Sequence, residues 1–155
     1  MPVAKLKEFL DEQGVKYVTI RHSIAYTAQE IAASAHVRGR DMAKTVVIKM
    51  GGKLAMAVLP AAQKVGVERL KEITGAQAVE IATEADFQGV FPGCELGAMP
   101  PFGNLWGMDV YVDERLTRDK EIAFNAGSHT ELIRLAYADF QRLVKPRVLR
   151  FAVAN

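Results

Sequence analysis

The sequence contains a single cysteine, Cys94, and lacks any long hydrophobic run. One cysteine cannot form a disulfide within the chain, and a lone thiol is typical of a reducing compartment. The apolar stretch over residues 54–59 is far shorter than the roughly 18 residues of a membrane-spanning helix. The first residues also lack the apolar core of a signal peptide. We therefore predict a cytoplasmic location and no membrane partner.

Neither sign of charge is in large excess, because 20 Lys and Arg oppose 18 Asp and Glu for a net charge of +2. This surplus is too small to indicate nucleic-acid binding by itself, and we expect no DNA partner. The basic residues are nevertheless clustered. The first basic group comprises Arg38, Arg40, Lys44, Lys49 and Lys53, and the second basic group comprises Arg142, Lys145, Arg147 and Arg150. If folding joins them, they form a face for a phosphate backbone; the alternative is scattered, solvated side chains.

The size and composition are those of one globular domain. The chain has 155 residues, of which 50% are hydrophobic and 25% charged, and a domain usually has roughly 100–200 residues. No repeat or linker interrupts the sequence. We therefore expect a single folded domain over residues 1–155.

The apolar pattern predicts more strands than helices in the first two thirds of the chain. Helices are expected over 3–13, from the capping box at Thr27, and over 67–73, with Gly14 and Gly75 ending the first and last of them. Strands are expected over 15–20, 44–50, 53–59 and 78–81, and a helical turn over 83–87. Gly51 and Gly52 predict a two-residue hairpin turn between the second and third strands.

The last third begins with an irregular segment, residues 89–107, that is rich in glycine and proline. Segments of this kind are often functional loops. Strands over 109–113 and 121–125 follow. Ser128 to Glu131 resembles a capping box, which predicts a helix with Leu132, Ile133, Leu135, Ala136 and Phe140 on its apolar side. Pro146 would end that helix before a closing strand over 148–153. The pattern predicts an α/β fold of the mixed α+β kind, with a mixed sheet.

Sequence motifs for cofactors are missing. Neither glycine-rich phosphate-binding signature occurs, and the three histidines, His22, His36 and His129, lack the close pairing of a zinc site. We expect no cofactor and no metal. Cys94 with His129 could form a thiol nucleophile and its base, although a lone cysteine is more often a buried apolar residue.

Lys44 is a stronger candidate for chemistry. On a strand it shares a face with Val46 and Ile48, so its ammonium would need an acceptor that a substrate carbonyl, hydroxyl or phosphate could supply. The alternative is an edge lysine that extends to water. Gly127, Ser128 and His129 at a helix start would offer free backbone amides to an anion or oxyanion, or simply cap the helix.

Three segments together resemble one family, the YbaK and ProX type of aminoacyl-tRNA deacylases, related to the editing domain inserted in bacterial prolyl-tRNA synthetases. The segments are Ala43-Lys44-Thr45-Val46-Val47, Gly97-Ala98-Met99-Pro100-Pro101-Phe102-Gly103 and Phe124-Asn125-Ala126-Gly127-Ser128-His129. The resemblance covers most of the chain. It implies a largely antiparallel, barrel-like sheet flanked by helices.

The resemblance also implies a free-standing hydrolase that cuts the ester between a wrong amino acid and the terminal ribose of tRNA. Lys44 matches the family's essential lysine, which orients the ester while water attacks. The resemblance carries over the substrate-binding residues Gly97, Ala98, Met99, Pro100, Pro101, Phe102, Gly103, Gly127, Ser128 and His129, with Thr45 and Asn104 as weaker candidates. Arg38, Arg40, Lys49 and Lys53 would contact the acceptor end of tRNA, mainly through phosphates.

The loop over 97–103 is not the glycine-pair version of the cysteine-removing subgroup. We expect the substrate to be tRNA-Pro that carries a small wrong amino acid (Ala, Ser, Thr or Cys). Met99 and Phe102 would narrow the amino-acid pocket. A prolyl-tRNA synthetase is a potential partner. A separate hydrolytic site of this kind is needed because a binding pocket distinguishes two amino acids that differ by one methylene by only about 1–3 kcal/mol. Two alternatives remain open: a non-catalytic tRNA- or synthetase-binding module, and hydrolysis that depends on Cys94.

Overall fold

The computed structural model describes residues 2–22, 41–92 and 94–154. Within these ranges there are three α-helices: α1 (Pro2–Glu12), α2 (Val67–Thr74) and α3 (Tyr137–Val144). The strands are β1 (Tyr17–Arg21), β2 (Ala43–Met50), β3 (Lys53–Pro60), β4 (Gln63–Val65), β5 (Val79–Ile81), β6 (Asp109–Asp113), β7 (Glu121–Asn125), β8 (Glu131–Ala136), β9 (Arg147–Leu149) and β10 (Ala152–Ala154). Short 3₁₀ helices span Glu84–Phe87, Gly103–Trp106 and Glu114–Arg118. None of the described helices is long and apolar enough to cross a membrane.

The described strands form three sheets. Five strands are ordered β5-β2-β3-β6-β9, three are ordered β1-β8-β7, and β10 pairs with β4. The five-stranded sheet is mixed, since β2 is antiparallel to β3 and β5 whereas β6 is parallel to β3 and β9. A parallel bridge between Met42 and Ala123 connects it to the three-stranded sheet. The mixed α+β class is confirmed; closure of these strands into a barrel stays a prediction.

The hairpin of β2 and β3 has the turn that its sequence predicts. Met50 pairs with Lys53, and Gly51 and Gly52 between them have φ values of 60° and 85°. A two-residue turn with both φ values positive matches the right-handed twist of the strands, and glycine adopts it without steric cost. The register of the two longest strands is therefore fixed locally.

The two faces of the five-stranded sheet pack into two separate apolar clusters. Alternate residues of the strands, such as Val47 and Val58, join Leu6 of α1 and Phe140 of α3 in the larger cluster. The opposite face packs against Leu70 of α2 in a second cluster. Because side chains alternate along a strand, each residue of β2 belongs to one of two different environments.

The helix predicted from the capping box at Ser128 is wrong. Residues 131–136 form strand β8, which pairs with β1 on one side and β7 on the other, and the helix begins only at Tyr137. Strand β8 is buried on both faces, with Leu132 in one apolar cluster and Ile133 in another. Such a strand has an almost continuous apolar run, which periodicity does not distinguish from a buried helix. Ser128 and Glu131 are engaged elsewhere: Ser128 Oγ accepts the N–H of Thr130, and Glu131 binds Lys7.

The single closing strand predicted over 148–153 is also wrong, because it is two short strands in different sheets. The backbone N–H groups of Phe151 and Ala152 donate to Oδ2 of Asp113, at 3.1 and 2.8 Å. This fully buried carboxylate takes the place of a strand partner, so the chain leaves β6 and pairs with β4. The helix predicted from Thr27 lies outside the described residues.

Candidate active site

Lys44 lies near the start of β2, opposite Leu59, and is partly buried. It shares the face of Val46 and Ile48, which pack into the second apolar cluster. Burial lowers the pKa of its ammonium, because partial loss of water disfavours the charged form. Within residues 2–22, 41–92 and 94–154 no hydrogen-bond acceptor or carboxylate is paired with it. The ammonium is therefore a donor without a protein acceptor in the described part of the chain.

Thr45, the next residue, points to the opposite face of β2. It is only 7% exposed, and its hydroxyl has no hydrogen-bond partner within the described structure. A buried polar group left unpaired costs about 1–3 kcal/mol. The two neighbouring candidates therefore face different sides of the sheet.

Four short hydrogen bonds, which we call the loop clamp, join the third motif segment to residues 95–98, which include the start of the second segment. Glu95 N donates to Gly127 O at 2.9 Å, and Gly127 N donates to Ala98 O at 2.8 Å. Oε2 of Glu95 accepts the backbone N–H of His129 at 2.7 Å, and Nε2 of that histidine lies 2.7 Å from Leu96 O. The sequence did not identify Glu95 as a residue of the candidate site. The one feature that could have pointed to it is the position of a carboxylate two residues before the Gly97 segment.

Most of the Gly97 segment is part of the core. Gly97 is exposed and has a φ of 81°, whereas the following six residues, 98–103, are buried. Phe102 is fully buried, with its ring centroid 5.7 Å from those of Phe124 and Phe140 and 6.3 Å from that of Phe9. Only the first residue of this segment therefore lies on the surface, and Asn104 beyond it is exposed.

All three motif segments meet in one region of the fold. Strand β7 runs from the core into Gly127, and its Ala123 forms the bridge to Met42, immediately before β2. Strands β2 and β7 are in contact. The clamp then connects Gly127 to the Gly97 segment. The first and third segments, which 76 residues (48–123) separate in the sequence, are thus neighbours, although Lys44 and Thr45 take opposite faces.

A cavity of about 150 Å³ lies beside the clamp, lined in part by Cys94, Leu96 and Met99. Burial raises the pKa of the Cys94 thiol to about 11, so the thiolate needed for nucleophilic attack is scarce near neutral pH. Nε2 of His129 is engaged by Leu96 O rather than by the sulfur. These features disfavour hydrolysis that depends on Cys94. Among the described residues, no cluster of His, Cys, Asp and Glu could hold a metal ion.

The basic residues differ in how far acids neutralise them. Lys49 lies 3.4 Å from Asp86 and 3.7 Å from Glu80, whereas Lys53, at the hairpin end, is exposed. Arg38 and Arg40 lie outside the described residues. In the second basic group, Arg142 pairs with Asp139, Arg150 pairs with Glu114, and Arg147 lies over the ring of Tyr111.

Residues 22–143 match the model of the aminoacyl-tRNA editing domain family, and the chain belongs to that family. The enzyme class expected from the sequence, an aminoacyl-tRNA deacylase, is confirmed. One relative is the multifunctional Ser/Thr-tRNA deacylase ProXp-y of Escherichia coli K12. It is 27% identical over 155 residues, which cover 95% of this chain and 90% of the relative.

Two solved structures show that the fold recurs at low sequence identity. A candidate trans-editing enzyme for prolyl-tRNA synthetase superposes with a TM-score of 0.83 at 18% identity, covering 99% of this chain and 98% of that one. A candidate signal transduction protein from Marinobacter aquaeolei gives 0.77 at 17% identity, covering 99% of this chain but 31% of the other. The same fold therefore occurs alone and within a longer chain.

Proposed function

We propose that this protein is a free-standing editing hydrolase that removes small wrong amino acids from mischarged tRNA, with tRNA-Pro as the first candidate. The observation that carries the proposal is the partly buried ammonium of Lys44, which has no acceptor among the described residues and belongs to the first of three neighbouring motif segments. The name of the Escherichia coli relative supports serine and threonine among the amino acids removed.

In the proposed reaction, Lys44 donates a hydrogen bond to the carbonyl oxygen of the ester. A water oxygen attacks the carbonyl carbon and loses a proton, the bond to the ribose oxygen breaks, and that oxygen gains a proton. The products are the free amino acid and uncharged tRNA. Since negative charge develops on the carbonyl oxygen, a preformed donor there stabilises the transition state more than the ground state. No covalent enzyme intermediate is required.

The amino-acid pocket would lie between Lys44 and the loop clamp. Backbone groups of Gly97 and Ala98 and the turn from Gly127 to His129 would form its walls, which is consistent with their exposed or clamped positions. Thr45 and the buried residues 99–103 would not contact the substrate but would pack beneath these walls and fix their shape. A rigid wall is what a size filter needs, since rejection depends on steric fit.

The acceptor end of tRNA would contact basic residues through its phosphates. Lys53 is exposed at the end of the hairpin, whereas Lys49 would have to exchange Asp86 and Glu80 for a phosphate. Arg38 and Arg40 remain candidates from the sequence. We further propose that the editing domain spans residues 1–155, because Leu6 and Leu10 of α1 pack into the larger core cluster. We also propose that it acts in the cytoplasm, where a prolyl-tRNA synthetase could assist it.

The test is deacylation of tRNA-Pro charged separately with alanine, serine, threonine or cysteine, by wild type, Lys44→Ala and Lys44→Met. Loss of one preorganised donor is expected to lower kcat by about 10²–10³-fold, with tRNA binding nearly unchanged. Lys64→Ala, an exposed lysine on β4, is the matched control and should retain full activity. Binding of tRNA without turnover by the wild type would favour the non-catalytic module, and an active Lys44→Ala would refute the proposed role of Lys44.

A further inference from the structure

Glu95 occupies an unusual position for an exposed carboxylate. It lies between Cys94 of the cavity wall and the Gly97 segment, yet its side chain reaches across to the turn that follows β7. Its Oε2 accepts the backbone N–H of His129 at 2.7 Å, the shortest distance in the loop clamp together with that between His129 and Leu96. A hydrogen bond to a charged acceptor is about twice as strong as one between neutral groups.

The same clamp fixes the imidazole of His129. A backbone carbonyl only accepts hydrogen bonds, so the contact between Nε2 and Leu96 O requires the proton on Nε2. In the neutral ring Nδ1 is then the acceptor, and the described structure records no partner for it. Glu95 holds the backbone of this residue while Leu96 holds its ring, so both ends of His129 are anchored to the same short segment.

Gly97 and the ring of His129 lie close together in the clamp. A Cβ atom placed on Gly97 would lie 3.7 Å from Cε1 of His129, at van der Waals contact. The same two stretches of chain are joined by the hydrogen bonds of the loop clamp. A displacement of about 1 Å in a site that positions a substrate can cost on the order of 10²-fold in rate.

We propose that Glu95 is a positioning residue of the editing pocket, which sets the distance between the Gly97 segment and the turn bearing His129 by accepting the N–H of His129. This inference rests on the proposed function, since the pocket it shapes is the proposed amino-acid site. It assigns Glu95 no contact with the substrate. Because tRNA affinity depends mainly on phosphate contacts, Glu95 should influence kcat and selectivity rather than KM.

The test compares Glu95→Ala and Glu95→Gln in the full chain, with Glu72→Ala, an exposed glutamate on α2, as the control. We expect Glu95→Ala to lower kcat about 10–100-fold, with KM within about twofold and a changed ratio of Ser-tRNA to Thr-tRNA deacylation. Glu95→Gln keeps an acceptor oxygen and should recover most of the activity. Amide hydrogen exchange at His129 should be about tenfold faster in Glu95→Ala than in wild type.

The outcomes separate this inference from the proposed function. If the wild type is active and Glu95→Ala matches Glu72→Ala in kcat and selectivity, the positioning role is overturned while the editing function stands. If the wild type deacylates none of the charged tRNAs, the proposed function fails. In that case amide exchange at His129 still shows whether Glu95 fixes the turn. An exchange rate in Glu95→Ala equal to that of the wild type would overturn the positioning role as well. A loss that Glu95→Gln does not rescue would also count against the hydrogen bond.

Discussion

Substitution of Phe102 separates a role in the core from a role in the amino-acid pocket. Its side chain is fully buried, and its ring centroid lies within 6.3 Å of the ring centroids of Phe9, Phe124 and Phe140. These neighbours come from α1, β7 and α3. Phe102 thus connects three elements that are distant in sequence, at the end of the segment that the family resemblance assigns to the pocket.

The expected loss of stability follows from this packing. Replacing a buried phenylalanine by alanine usually costs about 3–5 kcal/mol, and with three aromatic neighbours we expect about 4 kcal/mol for Phe102→Ala. Leucine keeps much of the apolar volume but loses three ring contacts, each worth about 0.5–1.5 kcal/mol, so we expect about 2 kcal/mol for Phe102→Leu. At roughly 2–4 °C per kcal/mol for a domain of this size, Tm falls by roughly 8–16 °C and 4–8 °C.

The assay is urea unfolding of both variants, followed by deacylation of Ser-tRNA and Thr-tRNA at a temperature where Phe102→Leu is folded. Phe87→Leu is the matched control, because Phe87 is partly buried and contacts one ring, that of Phe91. We expect the ratio of the two activities to be unchanged in Phe102→Leu. A shift of about tenfold or more in that ratio, with a stability loss below about 0.5 kcal/mol, would refute the assignment of Phe102 to the core and place its ring at the substrate.

Two further predictions concern residues near the same loop. Because burial raises the pKa of Cys94 to about 11, only about 10⁻³ of the thiol is ionised at pH 8. Iodoacetamide should therefore react slowly with it, faster as the pH rises, and Cys94→Ser should stay active; rapid inactivation at pH 7 would contradict this. Gly103→Ala would place a Cβ 2.7 Å from Cγ2 of Val110 and 2.9 Å from the carbonyl oxygen of Met108. We expect urea unfolding to show a loss of about 1–3 kcal/mol, against little change for the exposed neighbour in Asn104→Ala; equal midpoints for the two variants would argue against the close packing.

Local sequence signals accounted for much of the fold. Gly51 and Gly52 determine the hairpin turn, and Gly14 and Gly75 end their helices with positive φ values of 67° and 73°. Thr83 starts the short helix at Glu84 with a reciprocal capping box. Each of these signals acts within about four residues and depends on backbone geometry that glycine or a side-chain cap satisfies alone. Turns and helix ends of this kind can therefore be predicted without knowledge of any tertiary contact.

The sequence-based predictions were wrong where hydrogen-bond partners distant in sequence determine the secondary structure. Residues 131–136 have the apolar residues and the start signal of a helix, but β1 and β7 supply backbone partners on both sides. The break after Leu149 likewise depends on Asp113, which lies 38 residues before Phe151. Neither partner is visible in a local window, so tertiary hydrogen bonding overrode local preference.

The candidate site divides in the same way. The sequence by itself determined the family, the enzyme class and the segments that carry them, because these depend on residue identity and order. The tertiary structure decided which side chains are available: Phe102 is in the core, Thr45 faces away from Lys44, acids neutralise Lys49, and Glu95 holds His129. The physical reason is that burial, charge pairing and hydrogen-bond partners are properties of the packed chain, and no single segment contains them.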